Sequence, residues 1–166
     1  MPLPNILVTG TPGSGKSHMT KILAEEFNLK HQDVADIVKE HHFTDGYDET
    51  LECPILDEKK LVDFLDPIMR TGGNLVEYHN IEFFPERWFS LVLVVRCDTN
   101  ILFKRLEHKG YNSNKIKQYV EMEIFQMALE EAKTAFKRVP VHQVRGETED
   151  DVEKCVAIVK DFLKNW

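Results

Sequence analysis

Short apolar runs alternate with amphipathic stretches along the whole chain. The apolar runs predict β-strands at 6–9, 75–78 and 91–95, and short strands can also form at 28–31 and 139–144. Apolar residues at helical spacing predict helices at 16–27, 33–40, 57–70, 98–106 and 114–136, and a last one that Thr148 caps. Strands that alternate with helices are typical of a parallel sheet covered on both faces, so we expect an α/β fold of three layers.

Two segments interrupt this alternation. The segment 44–53 is rich in Asp, Gly and Glu and predicts a mobile loop. The segment 110–113 contains Gly and Asn and predicts a break between two helices. Since neither break is long and no repeat or linker composition occurs, a chain of 166 residues predicts one domain.

The charge balance limits the kinds of partner. The chain has 28 Asp and Glu against 21 Lys and Arg, a formal charge of −7. Strong unaided binding to nucleic acid is therefore not expected, because phosphate contacts need a basic surface, whereas a basic protein partner is allowed. No apolar run approaches the roughly 18 residues of a membrane span, and residues 1–5 do not resemble a secretory signal. The three cysteines, Cys53, Cys97 and Cys155, predict reduced thiols.

The segment 10–17 (GTPGSGKS) fits the phosphate-binding loop pattern G-x-x-x-x-G-K-[ST], with an apolar run before it and an amphipathic stretch after it. Backbone N–H groups at Gly13, Ser14 and Gly15 can converge on phosphate oxygens. Lys16 can reach the β- and γ-phosphates, and the Ser17 hydroxyl can bind Mg²⁺. The motif predicts a P-loop NTPase that binds ATP with Mg²⁺ and transfers or hydrolyses the γ-phosphate.

An acidic residue and a histidine end the strand predicted at 75–78. In P-loop proteins a carboxylate on a neighbouring strand holds Mg²⁺, which makes Glu77 a candidate metal residue. His79 lies two residues further and could orient an attacking water or touch a nucleotide. A solvated carboxylate and an ordinary loop histidine are the alternatives. The other histidines, among them His31, show no spacing typical of metal ligands.

Phosphoryl transfer also needs cations from outside the loop. The candidates are Lys39, Arg87, Arg96, Arg105 and Lys109, although any single one could be an ordinary surface charge.

Several longer strings match a known family. Besides the loop, 36–39 (DIVK), 45–49 (DGYDE), 53–58 (CPILDE), 83–88 (FFPERW), 105–107 (RLE) and 110–112 (GYN) resemble the adenylate kinase isoenzyme 6 family almost end to end. The resemblance implies an adenylate-kinase fold with a monophosphate-binding segment at 33–55 and a short lid at 108–118.

The resemblance also implies roles for individual residues. It places Arg105 on the adenine of ATP, Lys109 on the ATP phosphates and Lys39 on the acceptor phosphate. His18 would belong to the nucleotide site, and Asp36 and Arg87 to the acceptor site. The chain has Glu77 where the pattern has Asp, and Lys39 and Lys109 where it has Arg. Lysine cannot make the planar bidentate contact of arginine, so we expect weaker clamping of the acceptor.

These observations lead to one function and two alternatives. The resemblance implies an adenylate kinase (ATP + AMP giving two ADP) with ATPase activity. It would act in maturation of the small ribosomal subunit and its 18S rRNA, in nucleus and cytoplasm, with a basic small-subunit ribosomal protein as partner. The alternatives are an enzyme that is mainly an ATPase and a nucleotide-gated binding module with little turnover.

Overall fold

The computed structural model describes residues 2–50 and 52–166 and is built on a five-stranded parallel sheet. Its strands are β1 (Ile6–Thr9), β2 (Lys30–Asp33), β5 (Asn74–Glu77), β6 (Leu91–Arg96) and β7 (Val141–Arg145), in the order β2-β5-β1-β6-β7. A separate antiparallel hairpin is formed by β3 (Thr44–Asp48) and β4 (Cys53–Leu56). The predicted three-layer α/β fold is confirmed.

Helices cover both faces of the sheet. They are α1 (Lys16–Phe27), α2 (Val34–His41), α3 (Glu58–Arg70), α4 (Thr99–His108), α5 (Ser113–Ile124), α6 (Met127–Ala135) and α7 (Glu149–Lys164), with a 3₁₀ turn at Glu86–Trp88. Successive residues of β1 point to opposite faces. Ile6 and Val8 therefore pack with α1 and α7, whereas Leu7 packs with α3 and α6. Within the described ranges, no helix is long and apolar enough to cross a membrane.

The mobile loop predicted at 44–53 is wrong for most of its length. Tyr47 pairs with Pro54 and Asp48 with Cys53 across the antiparallel hairpin. Both strands leave most of their residues exposed or half-buried, so no hydrophobic alternation marked them in the sequence. Leu51, which belongs to this segment, and Met1, which belongs to the N-terminal segment considered above, lie outside the described residues.

The single helix predicted at 114–136 is also wrong. The chain turns between α5 and α6, where Gln126 takes the left-handed conformation at φ 57°. The two helices bury different surfaces: Ile116 of α5 packs against α4, whereas Leu129 of α6 packs on the sheet. The change of direction follows from these two packing surfaces, and no glycine or proline announces it.

A buried carboxylate near this turn fixes the loop that follows β1. Glu123 on α5 is 1% exposed and accepts a hydrogen bond of 2.8 Å from the Thr11 hydroxyl. Its other oxygen accepts from Arg96 Nε at 2.7 Å and from the Cys97 backbone N–H at 3.1 Å. One side chain therefore joins α5, the end of β6 and the loop at 10–17.

We expect Glu123→Gln to lower the free energy of unfolding by roughly 2 kcal/mol, because the amide loses the charge that the half-buried Arg96 guanidinium faces. Glu121→Gln, on the exposed side of the same helix, is the matched control and should change it by less than about 0.5 kcal/mol. Urea unfolding followed by circular dichroism measures both. Equal effects in the two variants would contradict the anchoring role of Glu123.

Candidate functional site

The loop between β1 and α1 folds only with glycine at certain positions. Gly15, which precedes α1, has φ +107°, and a Cβ there would lie 2.6 Å from the carbonyl oxygen of Gly146. Gly13 has φ +92°, and a Cβ there would meet Leu102 at 2.9 Å. The loop passes close to α4 and to the β7–α7 connection, so a side chain at either position would meet a neighbouring segment. The positive φ at both positions also favours glycine.

Arg105 of α4 holds these two segments together. Its guanidinium donates a hydrogen bond of 3.1 Å to the Gly13 carbonyl and one of 2.8 Å to the Gly146 carbonyl. The side chain also lines the cavity in front of the loop. Arg105 therefore fixes the loop and presents part of its surface to a ligand.

Lys16 is the cation that the loop brings to the cavity. Its ammonium group donates to the Thr11 carbonyl at 3.3 Å, which folds the side chain back over the loop. Burial, with a smaller contribution from the positive charge of Lys109, lowers the pKa of Lys16 to about 8, against the opposing charge of Glu77. A half-buried ammonium with one weak acceptor is poised to bind an anion, which would supply the missing negative charge.

Ser17 and Glu77 meet where the sequence predicts a metal site. The Ser17 hydroxyl donates to Glu77 Oε2 at 2.6 Å, and Glu77 is 6% exposed. His31 Nε2 lies 3.0 Å from Glu77 Oε1. Burial raises the pKa of Glu77, but hydrogen bonds from His31 and Ser17 and the charge of Lys16 outweigh it and lower the pKa overall. A hydroxyl and an ionised carboxylate in contact fit Mg²⁺, which prefers oxygen ligands and retains several waters.

His79 lies just beyond β5 and faces the same cavity. Burial, and then the positive charges of Lys16 and Lys115, lower its pKa to about 4. The imidazole is therefore neutral near pH 7 and has a nitrogen lone pair available as a hydrogen-bond acceptor.

All these groups open into one cavity of about 1200 Å³. One wall consists of the phosphate-loop residues, Arg105 and the start of α7, and the opposite wall consists of α2 and the hairpin β3–β4. Glu77 and His79 lie between the walls, because β5 lies between β2 and β1 in the sheet. The lysine and arginine side chains that line it among the described residues are Lys16, Lys39, Arg105, Lys109 and Lys115.

The structure brings most of the predicted site residues to this cavity. Those that line it are Gly13, Gly15, Lys16, Ser17, His18, Lys39, Glu77, His79, Arg105 and Lys109. His18 Nε2 also lies 2.9 Å from Glu149 Oε1 at the start of α7. The predicted lid, 108–118, contains the end of α4, the turn and the first half of α5. Its closing motion stays a prediction.

The remaining candidates do not line the cavity. Ser14 is buried beneath the loop, and Asp36 is exposed in the first turn of α2. Arg87 binds Asp66 of α3 through two guanidinium hydrogen bonds of 3.0 and 3.1 Å. Arg96 binds the buried Glu123. The guanidinium groups of Arg87 and Arg96 are thus engaged in ion pairs within the fold, which spacing along the chain did not reveal.

The sequence analysis missed three residues at or beside the cavity. His31 and Asp33 lie next to Glu77, and Lys115 of α5 lies with its ammonium 4.8 Å from the Tyr111 ring centre. Spacing along the chain could not reveal the contact of His31, because its partner Glu77 comes from another strand. The alternation of His31 and Asp33 along one short strand was the signal available.

We expect His79 to make the protein sensitive to acid. Its pKa lies near 4 in the folded chain, against the ordinary value of 6.5 that applies to an unfolded one, so the unfolded chain binds more protons between these values. Stability should fall as the pH decreases from 6.5 towards 4. Between roughly pH 7 and pH 5, His79→Gln should lose about 2 kcal/mol less than the parent chain does.

Urea unfolding at the two pH values measures this difference. His142→Gln on β7 is the control, since His142 is exposed. Equal acid sensitivity in the parent chain and His79→Gln would contradict a neutral, buried His79.

Comparisons with known proteins agree with this geometry. The family described as AAA domain matches residues 6–126. The adenylate kinase isoenzyme 6 homolog of Drosophila melanogaster is 45% identical over 163 residues, which cover 98% of this chain and 93% of that protein. The homolog of Dictyostelium discoideum is 41% identical, with the same coverage.

Solved structures show the same fold. Shikimate kinase from Bacteroides thetaiotaomicron superposes with a TM-score of 0.63 at 17% identity, covering 97% of this chain and 98% of that one. A gluconokinase from Sinorhizobium meliloti superposes with the same score at 14% identity, covering 99% and 97%. At such identities the likeness concerns the fold alone.

The relatives test the family and the enzyme class that the sequence predicts. The predicted resemblance is confirmed by proteins that match nearly the whole chain, and so is the predicted enzyme of the phosphotransferase class. The chain is a kinase-like, nucleotide-binding P-loop protein, and it belongs to the adenylate kinase isoenzyme 6 family.

Proposed function

We propose that this chain transfers the γ-phosphate of ATP to AMP, giving two ADP, with ATP bound together with Mg²⁺. The observation that carries the proposal is a single cavity of about 1200 Å³ lined by the phosphate loop and by a second surface from α2 and the hairpin that contains the cation Lys39. Sites for one small ligand usually have roughly 300–1000 Å³, so this space suits two nucleotides.

The wall formed by the phosphate loop supplies the features that ATP needs. Backbone N–H groups at the start of α1 face the cavity, and the helix adds about half a positive charge there. Lys16 has no partner stronger than the Thr11 carbonyl and can exchange it for phosphate oxygens. The Arg105 guanidinium donates to two carbonyl groups along its edge, so one of its faces can stack on a nucleobase.

The opposite wall suits the acceptor. Lys39 of α2 is an exposed cation that lines the cavity and can bind a monophosphate. Thr44, Cys53, Pro54 and Leu56 of the hairpin form a mainly apolar surface beside it, against which a base can pack. A purine monophosphate whose phosphate binds Lys39 would approach the γ-phosphate of ATP. Glu77 lies between the two walls.

The chemistry requires positioning and charge more than covalent help. Bound Mg²⁺, held by Ser17 and Glu77, supplies charge neutralisation for the phosphate oxygens. Lys16, Lys109 and Lys115 line the same space and stabilise the charge that spreads over the transferred group. The bond between the γ-phosphorus and its bridging oxygen breaks, and an oxygen of the AMP phosphate forms the new bond, which releases two ADP.

Hydrolysis of ATP is the second candidate activity, and His79 favours it. Its imidazole is neutral and lies between the two walls, so it can accept a hydrogen bond from a water molecule. With AMP absent, such a water could attack the γ-phosphate. We therefore propose ATPase activity beside the kinase activity, and a nucleotide-gated binding role remains the alternative without turnover.

The cellular role that we propose is maturation of the small ribosomal subunit and its 18S rRNA, in nucleus and cytoplasm. Its support is the family resemblance and a formal charge of −7, which favours a basic small-subunit ribosomal protein as partner. The hairpin β3–β4 and the predicted lid both border the cavity, so a nucleotide could change the surface offered to that protein.

The kinase proposal predicts that ³¹P NMR of the protein with ATP, Mg²⁺ and AMP shows ADP formed at the expense of AMP with little free phosphate. Lys16→Ala should lower the rate by about 100-fold or more, because the cation closest to the transferred phosphate is lost. Lys21→Ala, on the exposed side of α1, is the matched control and should keep the rate of the parent chain.

The same experiment separates the alternatives. Free phosphate released at a rate indifferent to AMP would make the protein an ATPase and reject the kinase proposal. The parent chain could also bind ATP, lose that binding in Lys16→Ala, and still convert no ATP with or without AMP. That result would favour the nucleotide-gated binding module.

For the partner we expect a nucleotide-dependent interaction. A pull-down with purified basic small-subunit ribosomal proteins should retain one of them to a different extent with and without ATP and Mg²⁺, and Lys16→Ala should lose the difference. Equal retention of the ribosomal proteins by the parent chain with and without ATP and Mg²⁺ would reject the proposed coupling.

A further inference from the structure

Three metal-ligating side chains converge beside the phosphate loop. Asp33 of β2 pairs in register with Glu77 of β5, and His31 lies two residues earlier on the same face of β2. One ligand atom from each of His31, Asp33 and Glu77 lies within 4.8 Å of the others. Only Glu77 has a part in the Mg²⁺ site described above.

The distances suit one ion bound to all three side chains. His31 Nε2 and Glu77 Oε1 are 3.0 Å apart. Two adjacent ligands of a six-coordinate ion with bonds of about 2.1 Å are separated by about 3.0 Å. Small rotations of the Asp33 carboxylate can bring the third oxygen to the same ion, since the whole group already fits within 4.8 Å.

The surrounding structure holds the ligands in place. The Glu77 side chain is 7% exposed and that of His31 is 25% exposed, so neither moves freely in solvent. The Asp33 carboxylate caps α2 through Oδ1, which accepts from the Asp36 backbone N–H at 3.3 Å and keeps the carboxylate beside the other two ligands. Asp33 and Glu77 both line the cavity, so an ion between them would keep open positions towards a ligand.

The donor set selects the kind of metal. Two carboxylates and one imidazole are ligands for Mn²⁺, Co²⁺ and Zn²⁺, whereas Mg²⁺ prefers oxygen and gives up its waters reluctantly. Imidazole therefore favours a first-row transition metal over Mg²⁺ at this place.

We propose that His31, Asp33 and Glu77 bind one divalent first-row transition metal ion in the absence of nucleotide. The ion takes the place of the proton shared by His31 Nε2 and Glu77 Oε1, which is released to solvent. The ion keeps open coordination positions facing the cavity. The proposed binding needs only the metal ion and no nucleotide, so it can be tested independently of the kinase activity.

A titration of the nucleotide-free protein with Co²⁺ tests this, followed by visible absorption and by isothermal calorimetry. We expect saturation at a single ion per chain, and binding much tighter than that of Mg²⁺ under the same conditions. His31→Gln should weaken Co²⁺ binding by at least about 10-fold and change the absorption, because the nitrogen ligand is lost.

Two further variants make the result specific. Asp33→Asn retains an oxygen that can cap α2 but loses the charge, and it should also weaken binding. His142→Gln, an exposed histidine on β7, is the control and should leave the affinity unchanged. Circular dichroism verifies that each variant is folded.

Either of two outcomes would overturn the proposal. One is Co²⁺ binding no tighter than Mg²⁺ binding. The other is the same Co²⁺ affinity in folded His31→Gln, folded Asp33→Asn and His142→Gln. Neither outcome affects the proposed phosphoryl transfer, which the NMR experiment tests with Mg²⁺.

Discussion

Parallel strands place their carboxyl ends at one edge of the sheet, and the whole site depends on this constraint. The phosphate loop follows β1, Glu77 ends β5 and Asp33 ends β2. Because β5 lies between β2 and β1, Glu77 has Asp33 on one side and Ser17 on the other. No loop has to travel far to bring these groups together, so a short chain can build a large cavity.

The site concentrates charge of both signs in a chain that is acidic overall. Lys16 and the other cations line the same cavity as Glu77 and Asp33, which lie at the ends of β5 and β2. In the described part of the chain, five cations and four carboxylates line the cavity, so its lining is nearly neutral and the formal charge of −7 lies elsewhere. The proposed basic partner would therefore be attracted to the surface outside the cavity.

Much of this arrangement could be predicted from local patterns. The phosphate loop is a contiguous motif whose flanking strand and helix have distinct periodicities, and the inner strands β1 and β6 are apolar because both of their faces are buried. The positions of Lys16, Ser17 and Glu77 relative to one another follow from that topology.

Other features depend on contacts that no local pattern encodes. The hairpin β3–β4 is polar and exposed, so its strands have no hydrophobic alternation. His31 becomes a candidate ligand only through its contact with Glu77, 46 residues away. Glu123 looks like any helical glutamate until Thr11 and Arg96 surround it. Pairing between distant segments decides each of these cases.

The turn at Gln126 divides the apolar interior of the protein. Leu102, Leu106, Ile116 and Tyr119 form a small cluster of their own between α4 and α5, whereas Ala128 and Leu129 beyond the turn belong to the packing over the sheet. The connection between α4 and α5 can therefore vary in length and sequence without rebuilding the interior around the sheet. Substitutions in this connection, which contributes Lys109 and Tyr111 to the cavity lining, can change the surface offered to a ligand while the packing over the sheet stays the same.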